Sequence, residues 1–155
     1  MSCCSIIIPC RDEAGNLDFV VDEVVTVFSG RDYEIVLVDD GSTDGTADVA
    51  RSIAVRHAAV PIVVLRHASP AGKGAALRTG LDAARGDIVC TMDGDGQNDP
   101  ACLLRLVEAL AAARPEIGLA AGQRVKRTDT PVKRLASRFA NGLRARLLRD
   151  GTRDT

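Results

Sequence analysis

Two aspartates one residue apart, Asp93-Gly94-Asp95, open a stretch that runs through Gly96-Gln97-Asn98 to Asp99 with no His or Cys in it. Such a pair offers only hard oxygen donors, which suit Mg2+ or Mn2+ rather than Zn2+. An ion held there offsets the repulsion between the carboxylates and can clamp a diphosphate leaving group. A second acidic pair, Asp39-Asp40, leads into Gly41-Ser42-Thr43-Asp44-Gly45-Thr46. Ionised carboxylates accept several hydrogen bonds at once, so this pair suits a nucleobase or the hydroxyls of a ribose. Pro9-Cys10-Arg11-Asp12-Glu13 mixes a cation with two carboxylates, and Ala71-Gly72-Lys73-Gly74 and Gln123-Arg124 each add another cation.

Other readings of the same residues carry less. Asp-Gly and Gly-Ser-Thr-Asp clusters are also ordinary turn and cap chemistry. As a calcium loop, the stretch from Asp93 fails at its sixth position, Asn98 instead of Gly, and at its twelfth, Leu104 instead of Glu. Ala71-Gly72-Lys73-Gly74 lacks the spacing and the Lys-Ser/Thr of a Walker loop, and no G-x-G-x-x-G follows the first apolar run. His57 and His67 stand alone in the sequence and read as surface or linker residues.

The elements that must deliver these residues alternate between short apolar runs and amphipathic stripes. Ser5–Ile8 is a strand stopped by Pro9, and Asn16–Phe28 is a helix with apolar positions at 17, 20, 21, 24, 25 and 28. Tyr33–Val38 is a second strand, and Ser42-Thr43-Asp44 caps a helix that runs to about His57. Pro61–Leu65, Asp87–Met92 and Gly118–Gly122 are three further strands; Gly74–Ala84 and Pro100–Ala113 are helices, the last with proline early in its first turn. Continuous apolar strands separated by helices predict an α/β fold with a mainly parallel, Rossmann-like sheet covered on both faces. Such sheets bind ligands outside the carboxyl ends of their strands, and the acidic and cationic stretches fall at those ends.

Composition narrows the class. The chain has 155 residues, 46% of them hydrophobic, enough for one domain with a real core and too apolar for disorder. No apolar run approaches the ~18 residues of a membrane span, and Met1-Ser2-Cys3-Cys4 leads directly into a strand rather than a signal peptide. Four aromatics (Phe19, Phe28, Tyr33, Phe139) are too few stacking platforms for a single-strand nucleic-acid binder. Five cysteines without a C-x-x-C pair read as free thiols in a reducing cytoplasm. The net charge of −1 hides an asymmetry: residues 1–123 hold 10 Lys and Arg against 18 Asp and Glu, and residues 124–155 hold 10 against 3. An acidic front suits a metal or polyol site, and a basic tail meets anions.

The ordered set Pro-x-x-x-Glu, Val-Asp-Asp-Gly-Ser-Thr-Asp-Gly-Thr, Gly-Lys-Gly-Ala-Ala, Met-Asp-Gly-Asp-Gly-Gln and Gly-Gln-Arg resembles the family 2 inverting glycosyltransferases. Within them it is most similar to the dolichyl-phosphate mannose synthases and related polyprenyl-phosphate glycosyltransferases. The resemblance implies one GT-A nucleotide-diphospho-sugar transferase domain over residues 1–155. Residues 1–123 would form its nucleotide-sugar and metal half, and residues 124–155 the start of a basic acceptor-side region. It implies a nucleotide-sugar donor of the GDP-mannose or UDP-glucose type and a polyprenyl or dolichyl phosphate acceptor. Pro9, Arg11, Glu13 and Lys73 would line the donor pocket, with Val38 and Asp40 at the base and ribose. Asp93, Gly94 and Asp95 would form the Asp-x-Asp motif, with Asp95 and Gln97 on Mg2+ or Mn2+, and Arg124 on the diphosphate or acceptor phosphate. Asp95 and Arg124 would be the residues acting on the reacting groups. Arg11 and Asp12 stand where the family often carries an aromatic residue and Asn. In the family the catalytic domain continues past the end of this sequence, so the chain reads as truncated on its acceptor side.

The tail carries Leu135, Phe139, Leu143 and Leu147 at four-residue spacing among Lys133, Arg134, Arg138, Arg144, Arg146 and Arg149. Such a stripe suits either a final helix packed on the sheet or peripheral contact with an anionic membrane surface, and with it a cytoplasmic location. The resemblance places Lys133 or Arg134, with Ser137, at the acceptor phosphate. A hydroxyl acceptor needs a general base, whereas a phosphate near pH 7 is already anionic and needs cations and positioning. The many Arg residues after 123 favour the phosphate. Two alternatives stay open, a nucleotide-sugar-binding module without catalysis and a nucleotidyltransferase on a similar sheet.

Overall fold

The computed structural model describes residues 3–114 and 116–122. Four strands and four helices alternate: β1 (Cys4–Cys10), α1 (Leu17–Val27), β2 (Tyr33–Asp39), α2 (Thr46–Arg56), β3 (Ile62–Arg66), α3 (Lys73–Ala83), β4 (Ile88–Thr91) and α4 (Pro100–Ala111). The strands form one parallel sheet in the order β3-β2-β1-β4. Chain order therefore reverses between β1 and β4, and the crevice beyond their carboxyl ends is the ligand position of an open parallel sheet.

The buried runs of β1 and β2 supply both faces, as expected for central parallel strands. Ile6, Ile8, Ile35 and Leu37 pack beneath α1 and α2 with Leu17, Val20, Val21, Val24, Phe28 and Ile53. The alternate residues Ile7, Val36 and Val38 face Ala76 of α3 on the other side. Helices cover both faces. At the amino end of the sheet, buried Glu34 accepts from the Ser5 hydroxyl and the Arg85 N–H, both at 2.6 Å, which ties the α3–β4 connection to β1 and β2. Among the described residues no helix is long and apolar enough to cross a membrane.

Three local expectations are corrected. β1 does not stop at Pro9 but pairs through it, Pro9 facing Val38 and Cys10 facing Asp39. The β4 ladder ends at Ile7, so the missing Pro9 N–H points to the side where no partner strand needs it. Of Ser42-Thr43-Asp44 only Asp44 caps: α2 begins at Thr46 behind Gly45, and Asp44 Oδ1 accepts the Thr46 N–H at 3.0 Å, while Ser42, Thr43 and the second Asp44 oxygen serve the neighbouring loop. Gly118–Gly122 forms no strand. A strand needs a ladder partner, and Ile117 and Leu119, 51% and 80% exposed, bury against none among the described residues.

Candidate functional site

Loop-to-loop hydrogen bonds shape the crevice. The first loop, after β1, is held by the second, after β2: the Asp12 N–H donates to Ser42 Oγ at 2.9 Å, the Glu13 N–H to Thr46 Oγ1 at 2.8 Å and the Ala14 N–H to Asp44 Oδ2 at 3.0 Å. The Thr43 N–H returns a bond to Asp12 Oδ1 at 2.9 Å, and Asp12 adopts a left-handed φ of 55° within this lattice. The polar residues of the Gly-Ser-Thr-Asp-Gly-Thr run thus mostly build the first loop, with one oxygen of Asp44 left to accept the Thr46 N–H at the start of α2. Asp39 is fully buried and structural. Its Oδ1 accepts the Ser42 N–H at 2.9 Å, and its Oδ2 lies 3.1 Å from Arg66 Nε as an ion pair.

Asp40 reaches the crevice. Its carboxylate accepts from the Ala71 and Gly72 N–H groups and from His67 Nδ1. The Ala71 N–H first, then the His67 ring and the Gly72 N–H, hold its carboxyl below the usual range against the opposing effect of burial. The Thr46 hydroxyl, then the Ala14 N–H, do the same for Asp44. A carboxyl lowered on folding contributes stability that is complete above its unfolded value near ~4 and is lost as pH falls through that value toward the folded one. The melting temperature is therefore expected to hold through neutral pH and to fall on acidification below about pH 4. Asp40→Asn should melt lower at pH 7 and show a shallower acid loss; parallel melting-against-pH curves for the two proteins would remove Asp40 from this account.

Beyond β4, Asp93 pairs with Lys73 at 2.5 Å, and Asp95 Oδ1 accepts the Gln97 N–H at 3.0 Å. Glu13 Oε2 accepts from Asn16 Nδ2 at 2.6 Å. Pro9, Arg11, Glu13, Asp40, Lys73, Asp93, Gly94 and Asp95 all line one crevice of about 260 Å³, with Cys10, Gly72 and Ala76 completing the wall. The eight come from four separate segments of the chain. Burial, reinforced by Asp39, Glu13 and Asp44, pushes the Cys10 thiol up to about 12, so it faces the crevice as a neutral thiol rather than as a thiolate nucleophile.

Two of the expected site residues stand outside the crevice lining. Val38 does not line the crevice; as an interior residue of the second strand it is fully buried against α3. Gln97 is exposed and outside the lining, and the contact it makes to Asp95 is through its backbone N–H. Arg124, Lys133, Arg134 and Ser137 lie outside the described residues. His67, read as an isolated linker residue, bridges Asp40 and Thr79. Only its polar neighbours 27 and 12 residues away reveal that, and no sequence spacing marks them.

The donor set is compatible with a divalent ion. Among the described residues no group of three or more His, Cys, Asp or Glu side chains converges on one point, so a closed protein cage is absent there. Two carboxylates one residue apart on an open crevice instead match Mg2+ or Mn2+, which take one or two carboxylates and complete their shell with phosphate and water oxygens.

Comparison with known proteins agrees with this geometry. The family model for glycosyl transferase family 2 matches residues 5–154. The undecaprenyl-phosphate 4-deoxy-4-formamido-L-arabinose transferase of Edwardsiella ictaluri is 36% identical over 141 residues, covering 90% of this chain and 42% of its own length. The dodecaprenyl-phosphate galacturonate synthase of Rhizobium johnstonii is 38% identical over 128 residues, covering 81% of this chain and 37% of its own. The chain thus spans about two fifths of these curated relatives. Among solved structures, the mannosyltransferase from Pyrobaculum calidifontis in complex with GDP-Man and Mn2+ aligns with a TM-score of 0.58 at 33% identity, over 61% of this chain and 28% of that one. Glucosyl-3-phosphoglycerate synthase from Mycobacterium tuberculosis, with Mn2+, UDP and glucosyl-3-phosphoglycerate, aligns at 0.57 and 28% identity, over 72% and 40%. The parallel sheet with its acidic crevice is the GT-A fold of these structures, and with a family model running almost from end to end, the chain belongs to glycosyl transferase family 2.

Proposed function

We propose that this chain provides the donor site of a glycosyltransferase that moves a sugar from a nucleotide diphosphate to a polyprenyl phosphate with inversion. The observation that carries the reading is the convergence of Arg11, Glu13, Asp40, Lys73, Asp93 and Asp95 at the switch point of a parallel sheet. The names of the two curated relatives, both polyprenyl-phosphate sugar transferases, support the acceptor class.

In this reading Asp40 and the first loop hold the nucleoside, while Lys73 and Arg11 supply positive charge beside the diphosphate. Asp93 and Asp95 hold Mg2+ or Mn2+, which when bound neutralises charge developing on the leaving diphosphate. An acceptor phosphate oxygen bonds to the anomeric carbon as the bond from that carbon to the diphosphate oxygen breaks on the opposite face. The acceptor is anionic beforehand, so no side chain has to take a proton. Arg124, Lys133, Arg134 and Ser137 are the proposed acceptor-side groups, and the basic stripe after Pro131 would bring them to the cytoplasmic face of a membrane.

Thermal melting with GDP, UDP and their mannose and glucose conjugates, each with and without Mn2+, tests the donor half. A ligand at 100 times its Kd stabilises the folded state by about 2.7 kcal/mol, several degrees in a domain of this size. One nucleotide class should shift the melt, and only with the metal. No shift from any of them would overturn the reading. A shift without sugar transfer to polyprenyl phosphate would reduce the function to donor binding.

A further inference from the structure

Among the carboxylates of the crevice, Asp40 is the one that the described residues engage on both oxygens. His67 Nδ1 lies 2.7 Å and the Ala71 N–H 2.8 Å from Oδ1, and the Gly72 N–H lies 2.8 Å from Oδ2. The Asp40 side chain is only 6% exposed. His67 follows the last residue of β3, where its own N–H donates to the Asp39 carbonyl at 2.9 Å. Its ring is 17% exposed, and Nε2 sits 2.9 Å from Thr79 Oγ1 on α3. An ionised carboxylate can only accept, so a ring proton stands on Nδ1, while Nε2 lies within hydrogen-bond distance of the Thr79 hydroxyl.

The geometry points to His67 as a positioning residue of the donor site, a reading that rests on the crevice being the nucleotide-sugar site. Its ring connects the end of β2 to α3 at two places. Through Asp40 it fixes the Ala71 and Gly72 amides immediately before the helix, and through Thr79 it fixes the helix about two turns further on. Lys73 is the next residue after Gly72 and reaches Asp93 across the crevice. The ring thereby sets where the Lys73 ammonium and the remaining acceptor capacity of Asp40 stand. A site is only as well ordered as the groups that hold its side chains, and His67 does this without lining the crevice.

The test uses the full chain with His67→Gln, His67→Asn and Thr79→Val. An Asn amide nitrogen occupies nearly the place of Nδ1 and can still donate to Asp40, whereas Gln carries its nitrogen toward Thr79. Two measurements are made, hydrogen exchange of the Ala71 and Gly72 amides and the Mn2+-supported Kd for UDP and GDP. His67→Gln is expected to speed exchange at both amides and to weaken nucleotide binding, each by about tenfold, the scale of one lost hydrogen bond to a charged group. His67→Asn and Thr79→Val each keep the bond to Asp40 and give up the link to Thr79, so both should fall between the native protein and His67→Gln. A merely stabilising histidine would lower the melting temperature in both His67 variants alike and leave the binding order unchanged. Native exchange and native affinity in His67→Gln overturn the proposal, and if that variant does not fold, native values in Thr79→Val overturn it. If the native chain binds neither nucleotide, the donor reading falls, and unchanged Ala71 and Gly72 exchange in the variants then overturns the positioning role separately.

Discussion

Asp95→Ala is expected to abolish the Mn2+ dependence of nucleotide binding and to lower sugar transfer by about 10²–10³-fold, the scale of losing one preorganised group that stabilises developing negative charge. Four carboxylates, Glu13, Asp40, Asp93 and Asp95, line the crevice with two cations, Arg11 and Lys73. Asp40 is engaged by backbone amides and His67, and Asp93 by Lys73. Asp95 forms no ion pair among the described residues, and the Gln97 N–H fixes one of its oxygens. Its charge is therefore both oriented and uncompensated, the condition under which a divalent ion gains most. Asp95→Asn separates charge from shape, because the amide oxygen can still accept the Gln97 N–H. Both variants should lose the metal effect, and neither should melt below the native protein, since removing one of several neighbouring carboxylates relieves repulsion. Calorimetric titration of UDP or GDP with and without Mn2+ decides it. A full metal effect in both variants would take Asp95 out of the metal site.

The strength of this assignment comes from what a sequence carries well. Periodicity located all eight strands and helices of the described fold, because apolar runs such as Ile6-Ile7-Ile8 and Ile35-Val36-Leu37 are buried on both faces and leave an unbroken signature. The chemistry-bearing residues could be placed too, since a parallel sheet sends every strand's carboxyl end to one edge. What was illegible depends on partners distant in the chain. Val38 belongs to the most diagnostic motif yet points into the core, and strand alternation decides that. Ser42, Thr43 and Asp44 carry cap chemistry, but Ser42, Thr43 and one oxygen of Asp44 bond residues about 30 positions earlier, and only the other Asp44 oxygen meets Thr46 at the start of α2. His67 acquires a role only because β3 ends beside β2 and α3 turns back over it. Pro9 reads as a stop unless it is known that β4 no longer pairs at that level. Gly118–Gly122 has strand composition without a ladder partner among the described residues.

Gly41→Ala should be among the most damaging single-methyl substitutions in the domain, and Gly30→Ala shows why. Both glycines have left-handed backbones, with φ of 70° and 75°, so an alanine at either costs about 1 kcal/mol in backbone strain. Around Gly30 a Cβ would meet nothing within 4 Å; at Gly41 it would lie 2.7 Å from the Pro70 nitrogen and 2.8 Å from the Ser69 carbonyl carbon. Those are main-chain atoms and cannot rotate away, so overpacking adds about 1–3 kcal/mol. The expected fall in melting temperature is about 3 °C for Gly30→Ala and about 6–12 °C for Gly41→Ala, at roughly 3 °C per kcal/mol. The two should also differ in function. Relief at Gly41 requires the Ser69-Pro70 turn to move, and the next two residues donate the amides that Asp40 holds. Nucleotide affinity should therefore drop in Gly41→Ala even well below its melting temperature, while Gly30→Ala, in the α1–β2 connection at the opposite end of the sheet, binds as the native chain does. Equal melting losses in the two variants would mean that the turn yields freely, and the close approach of Gly41 to Pro70 would then play no part in holding the crevice.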